Sequence, residues 1–327
     1  MTDAATRLAR LVECVPNVSE GRRPGVVEEI VATFAEADPG VLVLDRSSDP
    51  DHDRTVLTLA GPGPALVEAA VAGARACARL IDLNRQRGVH PRMGALDVVP
   101  FVPLGEATRL RGGADPDLDC AALAERAGRR IAAETGIPVY LYGAAARHPG
   151  WGALPAVRGR GFEALRAAQV PGGPQDRAPD FGGPGLHPTA GATAAGAREV
   201  LIAYNVELAG ADLDLARRIA SAVRERDGGL PAVRAMGVTL ADRQLVQVSM
   251  NLLDTRVTSP ATAFAAVAGL AERAGVQVAG SEIVGLVPEA ALAGVDPATL
   301  RLHGFSRGQL LEERLAQALA ARAGGAR

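Results

Sequence analysis

EVLIAYNVEL at 199–208, followed by ADLDLARRIASAVRER at 211–226, reads as a strand feeding a helix, with Asp212 and Asp214 in the helix's first turn, where the dipole favours negative charge. Toward the C-terminus, two further strands are predicted at 233–240 and 245–252, then a helix at 260–275, and a last strand inside VQVAGSEIVGLV. The N-terminal half repeats this order. A strand is predicted at 11–18, a helix at 25–36, strands at 41–46 and 54–61, a helix at 64–82 and a strand at 96–102. Each half therefore begins β-α-β-β-α-β, and each first strand contains Asn-Val, at Asn17-Val18 and Asn205-Val206. The doubled order predicts an α+β protein of two related sandwiches, each a sheet covered on one face by two helices. A helix at 118–134 and a short strand at 138–144 complete the first half. The passage from 168 to 196, AQVPGGPQDRAPDFGGPGLHPTAGATAAG, is dense in Gly and Pro and reads as an ordered loop or linker.

The 327 residues leave room for two domains, and 48% of them are apolar with few aromatics, so the core must be mostly Ala, Val and Leu. No apolar run approaches the roughly 18 residues that span a bilayer. The N-terminus shows no secretory pattern, so a cytoplasmic location without a membrane partner is expected. Cys14, Cys77 and Cys120 are odd in number and lack CxxC spacing, as expected of reduced thiols and not of a disulfide frame or zinc site. A net charge of -2 gives no footprint for nucleic acid. All 35 basic residues are arginine, which excludes a lysine Schiff base and a lysine phosphate loop.

Candidate chemistry centres on GVHPRMGALDVVPF at 88–101. Pro91 forces His90 into extended backbone just before a strand, where its ring can project into a cleft or serve the structure. Gly94 permits close approach of a ligand or another segment. DPDHDR at 49–54 has the acidic alternation of a calcium loop, but Arg54 and Ala60 stand where Gly and Glu are required, so an acidic turn or a polar substrate contact remains. Arg54 is suited to gripping a carboxylate or to a surface ion pair. No GxSxG, HxH or HxxxH occurs, so neither a serine nucleophile nor a local histidine metal centre is expected.

ECVPNVSEGR at 13–22, DPDHDRTV at 49–56, RLIDLNRQRGVHPRMGALDVVPFVPL at 79–104, PVYLYG at 138–143, APDFGGPG at 178–185 and QVSMNLLD at 247–254 resemble, in order, the glutamate formimidoyltransferase family. The resemblance implies two ferredoxin-like subdomains, here 1–181 and 182–327, in a homodimer. It implies transfer of a formimidoyl group from N-formimidoyl-L-glutamate to N5 of tetrahydrofolate, within histidine degradation. The family's catalytic histidine falls on His90. Its folate-binding segment falls on Gly182, Gly183, Pro184, Gly185, Leu186, His187, Pro188, Thr189, Ala190 and Gly191. Bifunctional relatives add a cyclodeaminase domain, and this chain matches the monofunctional form. It departs from animal members at Thr189-Ala190-Gly191, where they carry an aromatic, and at Ser47, where they carry an aspartate.

Such a reaction suits a single imidazole. The attacking nitrogen must lose a proton and the departing glutamate nitrogen must gain one, and a histidine titrating near neutrality serves both steps. A cationic formimidoyl donor favours a nearby carboxylate, with Asp45 and Asp97 as candidates, although Asp97 suits a turn cap equally. Arg54 and Arg92 are candidate clamps for the carboxylates of both substrates. Two other functions share these features: formyl transfer from N-formylglutamate, which needs N–H donors for an oxyanion, and folate binding without turnover.

Overall fold

Pro16 lacks an amide proton, and the first strand breaks there into β1 (Val12–Cys14) and β2 (Asn17–Val18). The neighbours adapt: Val15 N–H donates to Pro100 O at 3.2 Å, and the Pro16 carbonyl accepts from Leu57 N–H at 3.0 Å. The computed structural model describes residues 8–88, 91–159, 161–168, 178–240 and 245–325. It divides into two units, Met1–Arg198 and Glu199–Arg327.

In the first unit the chain continues through α1 (Pro24–Glu36), β3 (Leu42–Asp49), β4 (Arg54–Gly61), α2 (Gly63–Leu80), β5 (Leu96–Pro103), α3 (Cys120–Thr135) and β6 (Val139–Gly143). Two short helices follow, α4 (Leu154–Arg158) and α5 (Phe162–Ala168), and then β7 (Thr193–Ala197). The seven strands form one sheet in the order β3-β4-(β1, β2)-β5-β7-β6. Pairing is antiparallel as far as β5, and β5, β7 and β6 are mutually parallel.

Two findings depart from expectation. The Gly/Pro-rich passage ends in a central strand, because TAAGA offers only small side chains that fit between two neighbours; all five residues are buried. With β7 inserted between β5 and β6, the first unit extends through Arg198, so the division does not fall after 181. The sheet is also covered on both faces. Val139, Leu141, Ala195 and Phe101 pack with α1, α2 and α3, while Tyr140, Tyr142, Ala194 and Val98 meet Trp151, Val157 and Leu165 from the 149–168 region. Double coverage explains why β5 reads LDVVPFVP, with nearly every residue buried, instead of alternating.

The second unit is plainer: β8 (Ile202–Ala209), α6 (Leu213–Val223), β9 (Val233–Leu240), β10 (Leu245–Leu252), α7 (Pro260–Arg273), β11 (Gln277–Val284) and α8 (Leu311–Gly325). Its sheet runs β11-β8-β10-β9, antiparallel throughout. Ile202, Tyr204, Val206 and Leu208 alternate into the core, where Ala216, Ile219, Ala220 and Val223 meet them at helical spacing. Asp212 caps α6 by accepting from Leu215 N–H at 2.7 Å.

Candidate active site

Four stretches distant in sequence are stitched together beside β5. Ser19 N–H donates to Ala95 O at 2.9 Å, and Ser19 Oγ donates to Gly94 O at 2.7 Å. Gly21 N–H donates to the Asp53 carboxylate at 3.0 Å, and Gln86 Nε2 donates to Asp53 O at 2.8 Å, tying in the turn between β3 and β4. From the other side, Ala95 N–H donates to Ala190 O and Ala192 N–H to Met93 O, both at 2.9 Å. Gly94 lies opposite Gly191 in this pairing. A Cβ on Gly94 would sit 1.9 Å from Ala192 O, and Gly191 holds a φ of 70°, so the contact requires glycine on both sides.

The stitching surrounds a small cleft lined by Ser19, His52, Asp53, Arg54, Pro91, Arg92 and Asp97. Asp97 is buried and fully engaged. Its Oδ1 accepts from Met93 N–H at 2.7 Å and Gly94 N–H at 3.2 Å, and its Oδ2 accepts from Arg158 Nη2 at 2.5 Å. Its charge is thus committed to a turn cap and a buried ion pair together. Arg92 is also committed: Nη2 donates to Gln86 O at 3.0 Å and to Glu163 Oε1 at 2.9 Å. Burial raises the Glu163 carboxyl, but a backbone hydrogen bond and Arg92 outweigh it, and the net shift is downward.

Arg54 differs. Among the described residues no acceptor lies in hydrogen-bonding or ion-pair range of its guanidinium. Burial and the Arg158 cation bring it down to about 10, against the smaller opposing attraction of Asp97 and Asp49. A guanidinium with five donors in such a place is set for a planar anion. Beside it, His52 Nδ1 lies 3.1 Å from Asp49 Oδ1, and the His52 amide donates to the same oxygen at 2.9 Å. Burial raises Asp49, but the His52 hydrogen bonds and charge overcome it and hold the carboxyl at about 2. Burial pushes Asp53 upward, only partly offset by Gly21 N–H.

The expected folate segment divides in two. Gly182 to Gly185 are exposed and follow Phe181, whose ring is flanked by the guanidinium carbons of Arg129 at 4.9 Å and Arg147 at 4.8 Å. His187 to Gly191 form a closed turn, with backbone hydrogen bonds in both directions between those two residues. His187 Nδ1 accepts from Ala190 N–H at 3.0 Å, and burial lowers the ring's pKa, so the imidazole is neutral and carries its proton on Nε2. Leu83 N–H donates to Thr189 O at 2.9 Å and Asn84 Nδ2 to Pro188 O at 3.1 Å, fastening this turn to the segment that leads into 88.

His90 itself lies outside the described residues; Pro91, directly after it, lines the cleft. Arg54, Arg92 and Asp97 come together there, whereas Asp45, on β3 opposite Thr58, is not among the lining residues. Sequence reasoning missed two participants. The Asp49–His52 pair was visible as Asp-x-x-His within DPDHDR, while Arg158 had no local signal and reaches Asp97 only through the fold. The three cysteines are buried and form no disulfide, and burial pushes the Cys14 and Cys77 thiols up, away from reactivity. Among the described residues no cluster of His, Cys, Asp and Glu is arranged to hold a metal ion.

Comparison with known proteins converges on the same segments. The formiminotransferase domain, N-terminal subdomain, matches residues 11–198, and the formiminotransferase domain matches 203–302. A glutamate formimidoyltransferase of Thermoplasma acidophilum is 44% identical over 94% of this chain and 98% of its own length. The protein of the same name from Streptococcus pyogenes serotype M1 is 40% identical over 94% of this chain and 99% of its own. The formimidoyltransferase-cyclodeaminase of Sus scrofa is 43% identical over 87% of this chain, which spans 51% of that longer protein. The family boundary after 198 coincides with the end of the first unit, just past the β7 strand that expectation had treated as linker. Matched along both units and across every stitched segment of the cleft, the chain belongs to the formiminotransferase family.

Proposed function

We propose that this chain transfers the formimidoyl group of N-formimidoyl-L-glutamate to N5 of tetrahydrofolate, releasing L-glutamate, with His90 as the general acid and base. The two relatives that share nearly its full length carry the matching name. The observation that carries the reading is the Arg54 guanidinium, without a direct partner among the described residues, in a cleft that Pro91 lines. Both substrates bear glutamate carboxylates, and Arg54 is the clamp for one of them. Arg92 and Asp97 hold the cleft in shape through Glu163 and Arg158. The turn 187–191, hydrogen-bonded onto Met93 and Ala95 through its own residues and Ala192, supplies the folate side, with Gly182 to Leu186 extending it. Asp45, on the neighbouring strand, serves the cationic donor at longer range.

In the same reading each unit is a ferredoxin-like β-α-β-β-α-β core, the first enlarged by α3, β6 and β7, and the protein works as a cytoplasmic homodimer. The deciding experiment mixes purified protein with tetrahydrofolate and either N-formimidoyl-L-glutamate or N-formyl-L-glutamate. Formation of 5-formimidoyltetrahydrofolate from the first donor alone, lost by at least about 100-fold in His90→Ala, is expected. Product from the formyl donor instead, or tight folate binding without product from either, overturns the reading.

A further inference from the structure

The turn between β3 and β4 places an imidazole in the cleft that the reaction so far leaves idle. His52 is largely buried, with 11% of its side chain exposed, and lines the cleft with Asp53, Arg54, Pro91, Arg92 and Asp97. Its Nδ1 is turned to Asp49 Oδ1 at 3.1 Å, so Nε2 is the nitrogen that carries a transferable proton. The backbone is also close: a Cβ on Gly88 would lie 2.2 Å from His52 O, so the chain that runs on to the expected catalytic histidine passes directly against this turn. A carboxylate orienting an imidazole beside a reacting centre is a recurrent acid–base arrangement.

We propose that His52, oriented by Asp49, is the acid that protonates the departing glutamate nitrogen. This rests on the formimidoyl-transfer reading and divides its proton traffic between two histidines. N5 of the acceptor bonds to the amidine carbon, the C=N π pair moves onto the imino nitrogen, and the N5 proton passes to His90. The imino pair then re-forms C=N while the bond to the glutamate nitrogen breaks. Its electron pair leaves with that nitrogen, which takes the proton from His52 Nε2. Asp49 remains ionised at neutral pH and so supports the ring through Nδ1 in both protonation states.

A thioformimidate analogue of the donor, with sulfur in place of the departing nitrogen, separates the two roles because a thiolate departs without a proton. His52→Gln should lose roughly 100-fold in kcat with the nitrogen donor and less than about 3-fold with the sulfur donor, whereas His90→Ala loses rate with both. Asp49→Asn, as a positioning variant, should show the same donor selectivity at smaller size. Thermal melts identify any misfolded variant, and Asp49→Asn then decides in place of His52→Gln. Equal losses with both donors, or full activity with the nitrogen donor, overturn the role of His52. Absence of product in the unaltered protein overturns the parent reading instead.

Discussion

The two units begin with the same element order but use their first strand differently. In the second unit β8 runs for eight residues without interruption, and Asn205 Nδ2 donates across the sheet to Glu282 Oε1 at 2.9 Å. In the first unit Pro16 splits the strand, and Asn17 Nδ2 turns back to its own Val15 O at 3.1 Å. The same Asn-Val pair thus secures a regular ladder in one place and a break in the other. Beyond the break, Ser19 and Gly21 leave the ladder and bond instead to the loops that carry Gly94 and Asp53, while Glu20 O accepts from Thr55 Oγ1 on β4. A chain departure of this kind supplies backbone donors and acceptors to a site, which an unbroken strand has already spent on its neighbours.

Substitutions sharpen that contrast. The largest effect is expected at Asp97: Asp97→Asn strands the Arg158 guanidinium, 11% exposed, beside a neutral amide. Breaking a buried pair in this way costs about 3 kcal/mol or more, to be read from denaturant midpoints, with activity falling in parallel. Arg54→Gln comes next and acts in the opposite sense on stability. It removes a buried cation with no direct partner among the described residues, so the fold should hold or gain slightly, while KM for the glutamate donor rises roughly 10- to 100-fold, as loss of charge-assisted hydrogen bonds worth about 1.5–3 kcal/mol requires. The smallest effect lies in the regular unit. Ser259→Ala removes the N-cap of α7, whose Oγ accepts from Thr262 N–H at 3.2 Å, and should cost about 1 kcal/mol of stability with kcat unchanged. A Ser259→Ala variant that lost turnover at full stability would break the division of labour drawn here.

Much of the fold was legible in the sequence because alternation and helical spacing mark single-face burial. α6 follows that rule, and β8 turns Ile202, Tyr204, Val206 and Leu208 into the core, although Asn205 and Glu207 on its other face are buried too. The rule fails at β7, where TAAGA lies buried on all sides among small neighbours and carries neither period nor bulk. It fails also at the second helical cover, since α4 and α5 are too short for a clear stripe. In the site, Arg54, Arg92 and Asp97 were found as types, but which of them is spent on structure depends on partners 61 and 71 residues away, Arg158 and Glu163, that no local pattern announces. His52 is hard to read locally because the acidic alternation of DPDHDR masks the Asp49–His52 pair within it.

The stitching around Gly94 carries a kinetic consequence. Bonds from Ser19 to Gly94 and from Ala95 to Ala190 close large loops of chain, with separations of 75 residues in the first case. Closing them defers formation of the cleft until the sheet from β3 to β7 has assembled, a topology that folds slowly. Catalytic competence is therefore acquired late and all at once. During refolding, turnover should return with the slowest phase, after helical signal has already recovered.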